Sequence, residues 1–198
     1  MNTESTDQTR QWRMFCAFEL PEPVRVRIGQ HSETVRDAVR DATASWSRPE
    51  NIHLTVKFFG NVEQVQVPAI SAAAARVAKE FSPIQIEVGN TGVFPRPSRP
   101  QVLWIGIADP SGGLSKLQQQ LEDEFARAGF AKEDRAFRPH LTIARIRKPH
   151  NAARLAQTHL ETNFNAVELT LEELILFRSQ LSSKGSKYTA ISRHPLVS

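Results

Sequence analysis

The chain has 198 residues, of which 40% are hydrophobic and 23% are charged, and its formal net charge is +4. This composition excludes a largely disordered chain, and the length suits one compact domain or two small lobes packed as one. The mild positive charge permits an anionic ligand without requiring one.

The first part of the chain is predicted to alternate strands with helices after a polar tail. The tail covers residues 1–11, and one domain is expected over residues 12–198. Periodicity and turn residues predict, in chain order, a strand at 13–20, a helix at 23–44, a strand at 51–60, a helix at 67–81, a strand at 84–88 and a loop at 91–100. The first strand contains the only cysteine, Cys16, which is expected to be buried and which excludes an internal disulfide.

The second part repeats this alternation. The elements predicted there are a strand at 102–108, a helix from about 109 to 129, a strand at 138–146, a helix at 152–160, strands at 167–171 and 173–179, a turn at 182–187 and a strand at 187–191. The apolar phase slips at Glu172–Glu173, which indicates a bulge or turn. The duplication predicts an α+β fold with two similar lobes, antiparallel or mixed sheets and outer helices.

One tetrapeptide occurs twice in nearly identical form, as HLTV at 53–56 and as HLTI at 140–143. Strand alternation places His53 and Thr55 on one face of the first copy, and His140 and Thr142 on one face of the second. An imidazole can move a proton near neutral pH, and a hydroxyl can bind a phosphate oxygen. One such motif alone is commonly a packing feature, so the repetition is what favours function.

Two facing pairs of this kind would suit the opening of a cyclic phosphodiester. One histidine would deprotonate water, and the other would protonate the departing sugar oxygen, without a metal ion. No metal site is predicted, because neither motif has a further ligand at metal-binding spacing. The other histidines, which are expected at the surface, are His31, His150, His159 and His194.

Other features of the chain bear on its location in the cell and on the kind of ligand that it binds. No apolar stretch is long enough to span a bilayer, so a cytoplasmic protein without a membrane partner is expected. No glycine-rich phosphate loop follows a predicted strand, which disfavours nucleoside triphosphates and dinucleotides. The basic run at 135–154 is consistent with either an anion-binding surface or an ordinary solvated surface.

The motif segments RPENIHLTVKFFGNV (48–62) and FRPHLTIARIR (137–147) resemble those of the two-histidine (2H) phosphoesterases. They are most similar to the RNA 2′,3′-cyclic phosphodiesterases, also called LigT-like proteins or 2′-5′ RNA ligases, and the resemblance extends from MFCAFELPE to LFRSQLSSKGSKYTAI. It implies a bilobal LigT-like fold with an active-site cleft between pseudo-symmetric lobes. It also implies hydrolysis of an RNA-terminal 2′,3′-cyclic phosphate to a 2′-phosphate without a metal or other cofactor, and a weak reverse 2′-5′ ligation.

The resemblance also assigns roles to individual residues. It makes His53 the general acid and His140 the general base, with Thr55 and Thr142 as the ligands of the phosphate oxygens.

Two further matches are an aromatic residue and an arginine, each five positions after a motif histidine. They are Phe58, which would stack a base, and Arg145, which would bind phosphate. Because five is an odd offset, plain alternation points both side chains away from the histidines unless each strand bulges or twists.

The partner that the resemblance implies is RNA ending in a 2′,3′-cyclic phosphate, with no obligate protein partner. Two alternatives stay open. One is a 2H phosphodiesterase for a small cyclic nucleotide-type phosphate, and the other is a non-catalytic module that binds RNA ends.

Overall fold

A computed structural model of the chain describes residues 11–182 and 185–197. Within these residues the chain forms nine β-strands and four α-helices. The strands are β1 (Gln11–Glu19), β2 (Ala44–Trp46), β3 (His53–Glu63), β4 (Ile84–Phe94), β5 (Val102–Ala108), β6 (His140–Ile146), β7 (Val167–Leu171), β8 (Glu173–Ser182) and β9 (Gly185–Pro195). The helices are α1 (Glu22–Ala38), α2 (Val67–Ala78), α3 (Gly113–Arg127) and α4 (Ala152–Glu161).

The strands form two sheets, and each strand pairing in the described residues is antiparallel. The first sheet has the order β3-β1-β8-β9, and the second has the order β2-β6-β5-β4-β7. Helix α2 contacts strands of the first sheet, α1 and α4 contact strands of the second, and α3 contacts both β3 of the first sheet and β4 of the second. The predicted α+β architecture is therefore confirmed, with antiparallel rather than mixed sheets.

The two sheets do not correspond to the two halves of the chain. Strands β8 and β9, from the C-terminal part, complete the first sheet beside β1, and β4 and β2 join the second sheet. The crossing occurs at Glu172, which lies alone between β7 of one sheet and β8 of the other. The predicted break in apolar phase at this point marks the change of sheet.

Tertiary pairing also changes two predicted elements. The helix predicted at 23–44 ends at Ala38, because residues 44–46 pair with β6 as a short edge strand. The loop predicted at 91–100 begins only after Phe94, because β4 continues to that residue. Asn90 has a positive φ of 58°, and the register shifts there, so the strand passes the bulge and resumes its pairing with β5.

The predicted chain start and hairpin turn fall partly outside the described residues. Residues 1–10 of the predicted tail lie outside them, but Gln11 already pairs with Glu63 and belongs to β1. In the turn predicted at 182–187, residues 183 and 184 lie outside, while Ser182 and Gly185 are paired in a hairpin. The last strand is longer than the predicted 187–191, because its pairing with β8 runs from Gly185 to Pro195.

The core lies between the sheets and their helices. It includes both apolar positions of each repeated motif, Leu54, Val56, Leu141 and Ile143, which are at most 4% exposed. Cys16 is fully buried, as predicted. Burial raises the pKa of its thiol far above the ordinary value.

Candidate active site

The two repeated motifs lie on different sheets, and their strands meet. Strands β3 and β6 approach each other with Cα atoms within 8 Å. The segment before β3 is bound to β6, because Ser47 donates hydrogen bonds from its hydroxyl to the Thr142 carbonyl (2.8 Å) and from its backbone N–H to the Ile143 carbonyl (2.8 Å). The second motif therefore anchors the chain six residues before His53.

His53 lies on an aromatic surface of the first sheet. Its ring stacks on Phe15 with a centroid distance of 4.6 Å, contacts Tyr188 edge-on at 5.1 Å and lies 6.1 Å from Phe177. Its Nδ1 lies 2.9 Å from the carbonyl oxygen of Asn51. The imidazole is half-buried, and the aromatic rings fix its orientation.

His140 has an equivalent environment on the second sheet. Its Nδ1 lies 2.7 Å from the carbonyl oxygen of Arg138. Phe94 contacts the ring edge-on at 5.0 Å, and Trp104 lies 6.3 Å away. The Trp104 ring in turn lies flat over Gly92, where a Cβ atom would come within 2.1 Å of the ring. Gly92 is therefore needed for the close approach of the ring that borders His140.

Both imidazoles are held in the same tautomer. A carbonyl oxygen can only accept, so in each ring the nitrogen Nδ1 donates its hydrogen to the carbonyl two residues earlier. When the ring is neutral, Nε2 then carries a free lone pair. Each motif thus presents Nε2 as the atom available for proton transfer.

A bulge occurs at the same position of both motif strands. In β3 the pairing with β1 passes over Val56, and in β6 the pairing with β5 passes over Ile143. In each strand two consecutive residues are consequently buried, Val56 with Lys57 and Ile143 with Ala144. The bulge reverses the alternation for the residues that follow.

The bulges explain how a residue five positions after a motif histidine can share the face of that histidine. Phe58 is the register partner of Phe15, whose ring contacts His53, so Phe58 shares the face of the histidine. Arg145 is exposed, and its positive charge acts on His140. The structure thus brings both predicted binding side chains to the faces that carry the motif histidines.

The two motif threonines are also on these faces. Thr55 and Thr142 are half-buried, each two residues after its histidine and before the bulge. In the described part of the chain neither hydroxyl has a hydrogen-bond partner. Both hydroxyls are therefore available to a ligand.

The electrostatic environments of the two histidines differ. Burial lowers the pKa of His53 to about 4, and the Asn51 carbonyl and the Glu19 carboxylate act in the opposite direction. Burial also lowers the pKa of His140, the Arg138 carbonyl opposes this, and the positive charge of Arg145 lowers that pKa further. A carboxylate thus favours the protonated form of His53, whereas a cation favours the neutral form of His140.

Sequence reasoning missed the aromatic residues that orient the histidines. Phe15, Phe177 and Tyr188 surround His53, and Phe94 and Trp104 surround His140. Trp104 is half-buried, and its ring borders His140. Alternation assigns each ring to a face of its own strand, but only the pairing of distant strands brings these rings together.

Three of the four histidines expected at the surface are buried. His31, His159 and His194 are at most 8% exposed, and only His150 is exposed. Nε2 of His31 lies 3.0 Å from Nδ1 of His159, whose Nε2 lies 3.0 Å from the Trp104 carbonyl oxygen. Helix packing accounts for the error, because α1 contacts α4 and encloses the first two rings.

The described residues contain neither a candidate metal cluster nor a candidate membrane-spanning helix. Across residues 11–182 and 185–197, no three His, Cys, Asp or Glu residues are grouped so that they could hold a metal ion. No helix in the same ranges has the length and apolar character to cross a membrane.

Comparison with known proteins gives consistent matches over most of the chain. The sequence model of the 2′-5′ RNA ligase superfamily matches residues 23–182. The RNA 2′,3′-cyclic phosphodiesterase of Methanothermobacter thermautotrophicus is 34% identical over 178 residues, which cover 89% of this chain and 95% of the relative.

Solved structures give the same fold. The crystal structure of TT0787 of Thermus thermophilus superimposes with a TM-score of 0.75 at 26% identity and covers 93% of this chain and 97% of that one. The apo form of E. coli LigT gives a TM-score of 0.70 at 23% identity and covers 95% and 99% of the two chains. The predicted LigT-like fold is therefore confirmed.

Proposed function

Because the chain belongs to the 2′-5′ RNA ligase superfamily, we propose that it hydrolyses RNA-terminal 2′,3′-cyclic phosphates to 2′-phosphates. Relatives that are 27–34% identical to it are named RNA 2′,3′-cyclic phosphodiesterases. The observation that carries the proposal is the matched orientation of His53 and His140. Each ring donates Nδ1–H to the carbonyl two residues earlier and presents Nε2 for proton transfer.

In this mechanism the cyclic phosphate lies between β3 and β6. The hydroxyls of Thr55 and Thr142 donate hydrogen bonds to its non-bridging oxygens, and Arg145 balances its negative charge. Water attacks phosphorus while neutral His140 accepts its proton at Nε2. The bond from phosphorus to the 3′ oxygen breaks as His53 donates its Nε2 proton to that oxygen, which leaves the phosphate on the 2′ oxygen.

The charged neighbours of the two histidines, rather than their net pKa values, favour this division of roles. A general base must be neutral, and the positive charge of Arg145 lowers the pKa of His140, which favours the neutral ring. A general acid must carry a proton, and Glu19 raises the pKa of His53 against the larger effect of burial. The negative charge of the bound phosphodiester acts on His53 in the same direction as Glu19.

The same groups would support ligation. If the 5′-hydroxyl of a second RNA replaces water, His140 deprotonates that hydroxyl and His53 again protonates the 3′ oxygen. The product is a 2′-5′ phosphodiester. Since water is far more concentrated than RNA ends, hydrolysis is the expected main reaction.

The test is turnover of a short RNA that ends in a 2′,3′-cyclic phosphate, in excess EDTA. We expect the wild type to form the 2′-phosphate, and we expect His53→Ala and His140→Ala each to lower kcat by about 10²–10⁴-fold. The exposed His150 offers a matched control, because His150→Ala removes an imidazole outside the site. RNA binding without turnover would indicate an RNA-end-binding module, and undiminished turnover by either variant would exclude the two-histidine mechanism.

A further inference from the structure

Arg13 lies on the same face of the first sheet as His53. Phe15 stacks on the His53 ring, and Arg13 precedes Phe15 by two residues in β1, so both side chains project from one face. The guanidinium carbon of Arg13 lies 4.5 Å from the centroid of the Phe58 ring. The bulge in β3 that turns Phe58 to this face therefore also provides the aromatic support for Arg13.

Arg13 has no counter-charge among residues 11–182 and 185–197. The side chain is exposed, and its register neighbours, Asn61 in β3 and Ser179 in β8, are uncharged. Over the described ranges it forms no ion pair and donates no side-chain hydrogen bond. Arg193 on β9, by contrast, is bound to two glutamates. A guanidinium that lies over an aromatic ring and has no acceptor among the described residues is well suited to bind a phosphate.

Building on the proposed function, we propose that Arg13 binds the phosphodiester on the 5′ side of the nucleotide that carries the cyclic phosphate. Arg13 lies about 7 Å along β1 from Phe15, on which the His53 ring stacks. That separation is close to the length of one nucleotide in an extended single strand. The favoured substrate class is therefore an RNA of two or more nucleotides rather than a cyclic mononucleotide.

A cavity beside Phe58 gives space for the upstream nucleoside. It measures about 230 Å³ and lies between residues 57–59 of β3 and residues 130–134. Lys57 holds this second segment in place through a hydrogen bond of 2.7 Å to the Ala131 carbonyl. The lining combines three phenylalanine rings with two lysines and two acids, and such groups can stack on a base and hydrogen-bond to its edge.

The test compares a nucleoside 2′,3′-cyclic phosphate with a dinucleotide that ends in the same cyclic phosphate. For the wild type we expect a higher kcat/KM with the dinucleotide. Arg13→Gln should lower this value by about 10- to 100-fold, as for the loss of one charge-assisted hydrogen bond, and should leave the mononucleotide value unchanged. It should also reduce the slope of log kcat/KM against log salt for the dinucleotide by about 0.7.

Two controls separate a phosphate contact from a structural effect. Arg178 stacks on Trp12 at 4.3 Å on the opposite face of the sheet, so Arg178→Gln removes a similar contact. This variant should not change the ratio of the kcat/KM values for the dinucleotide and the mononucleotide. With the wild type, a dinucleotide with an uncharged methylphosphonate linkage should have no higher kcat/KM than the mononucleotide. Arg13→Gln should leave the kcat/KM for this dinucleotide unchanged.

The outcomes also separate this inference from the proposed function. If the wild type hydrolyses both substrates equally, or if Arg13→Gln lowers both equally, Arg13 does not bind the upstream phosphate and the hydrolase function stands. If the wild type hydrolyses neither substrate, the proposed function itself fails and the inference fails with it.

Discussion

The buried ion pair between Lys57 and Glu122 connects the stability of the protein to the shape of the site. Lys57 is the residue that the β3 bulge turns inward next to Phe58, and its Nζ lies 2.6 Å from Oε2 of Glu122. The side chains of the pair are only 5% and 10% exposed. Glu122 also accepts hydrogen bonds from the Gln118 amide and from the backbone N–H of Glu133.

Lys57→Met would leave the Glu122 carboxylate buried without a cation. Removing one partner of a buried ion pair costs about 3–5 kcal/mol, so the free energy of unfolding should fall by that amount. For a chain of 198 residues this corresponds to a decrease in Tm of roughly 6–20 °C. The double variant Lys57→Met/Glu122→Gln removes the unpaired charge as well and should be more stable than Lys57→Met alone.

The assay is urea unfolding of the wild type, the two single variants and the double variant, followed by a double-mutant cycle. Lys132→Met is the matched control, because Lys132 pairs with Asp123 at the surface, and its loss should hardly change the unfolding midpoint. If the effects of Lys57→Met and Glu122→Gln simply add, within about 0.5 kcal/mol, the two side chains do not interact as described.

Three further outcomes are expected. Because the pKa values of both His53 and His140 are lowered from 6.5, the bell-shaped pH profile of kcat/KM should have its maximum below pH 6.5, and a maximum above pH 7 would contradict the described environments. Gly92→Ala should lower kcat while circular dichroism stays native, because the new Cβ displaces the Trp104 ring; unchanged kcat would show that the ring position is irrelevant. The pKa of His31 is about 4 in the folded state and about 6.5 in the unfolded state. This difference contributes to the free energy of unfolding above pH 6.5. The contribution is lost as the pH falls from 6.5 towards 4, by up to about 1.4 kcal/mol per pH unit. The Tm of His31→Leu should accordingly depend less on pH across this window, and an identical dependence would refute the assignment.

The local signals of the sequence were sufficient for most elements and for the pair of motifs. The spacing of apolar residues predicted the helices near α2, α3 and α4, and the near-identical HLT strands directed attention to His53 and His140. These features depend on residues close together in the chain. The duplicated order of elements predicted the α+β class with two lobes, and the resemblance added the LigT-like fold.

The features that sequence reasoning missed depend on contacts between distant segments. The extension of β4 past Asn90 follows from its pairing with β5, and the strand at Ala44–Trp46 exists because it pairs with β6. The direction of Phe58 depends on a bulge that only the register with β1 reveals. The burial of His31 and His159 likewise arises where two helices, separated by more than 100 residues, pack together.

The central claim is that His53 and His140 divide acid and base catalysis at one phosphate, and a change of leaving group tests it most directly. In a substrate whose 3′ bridging oxygen is replaced by sulfur, the leaving thiolate needs no proton, because thiols are far more acidic than alcohols. We expect His53→Ala to hydrolyse this substrate at nearly the wild-type rate in EDTA, while His140→Ala remains impaired. Equal impairment of both variants, or rescue of His140→Ala alone, would contradict the assigned roles.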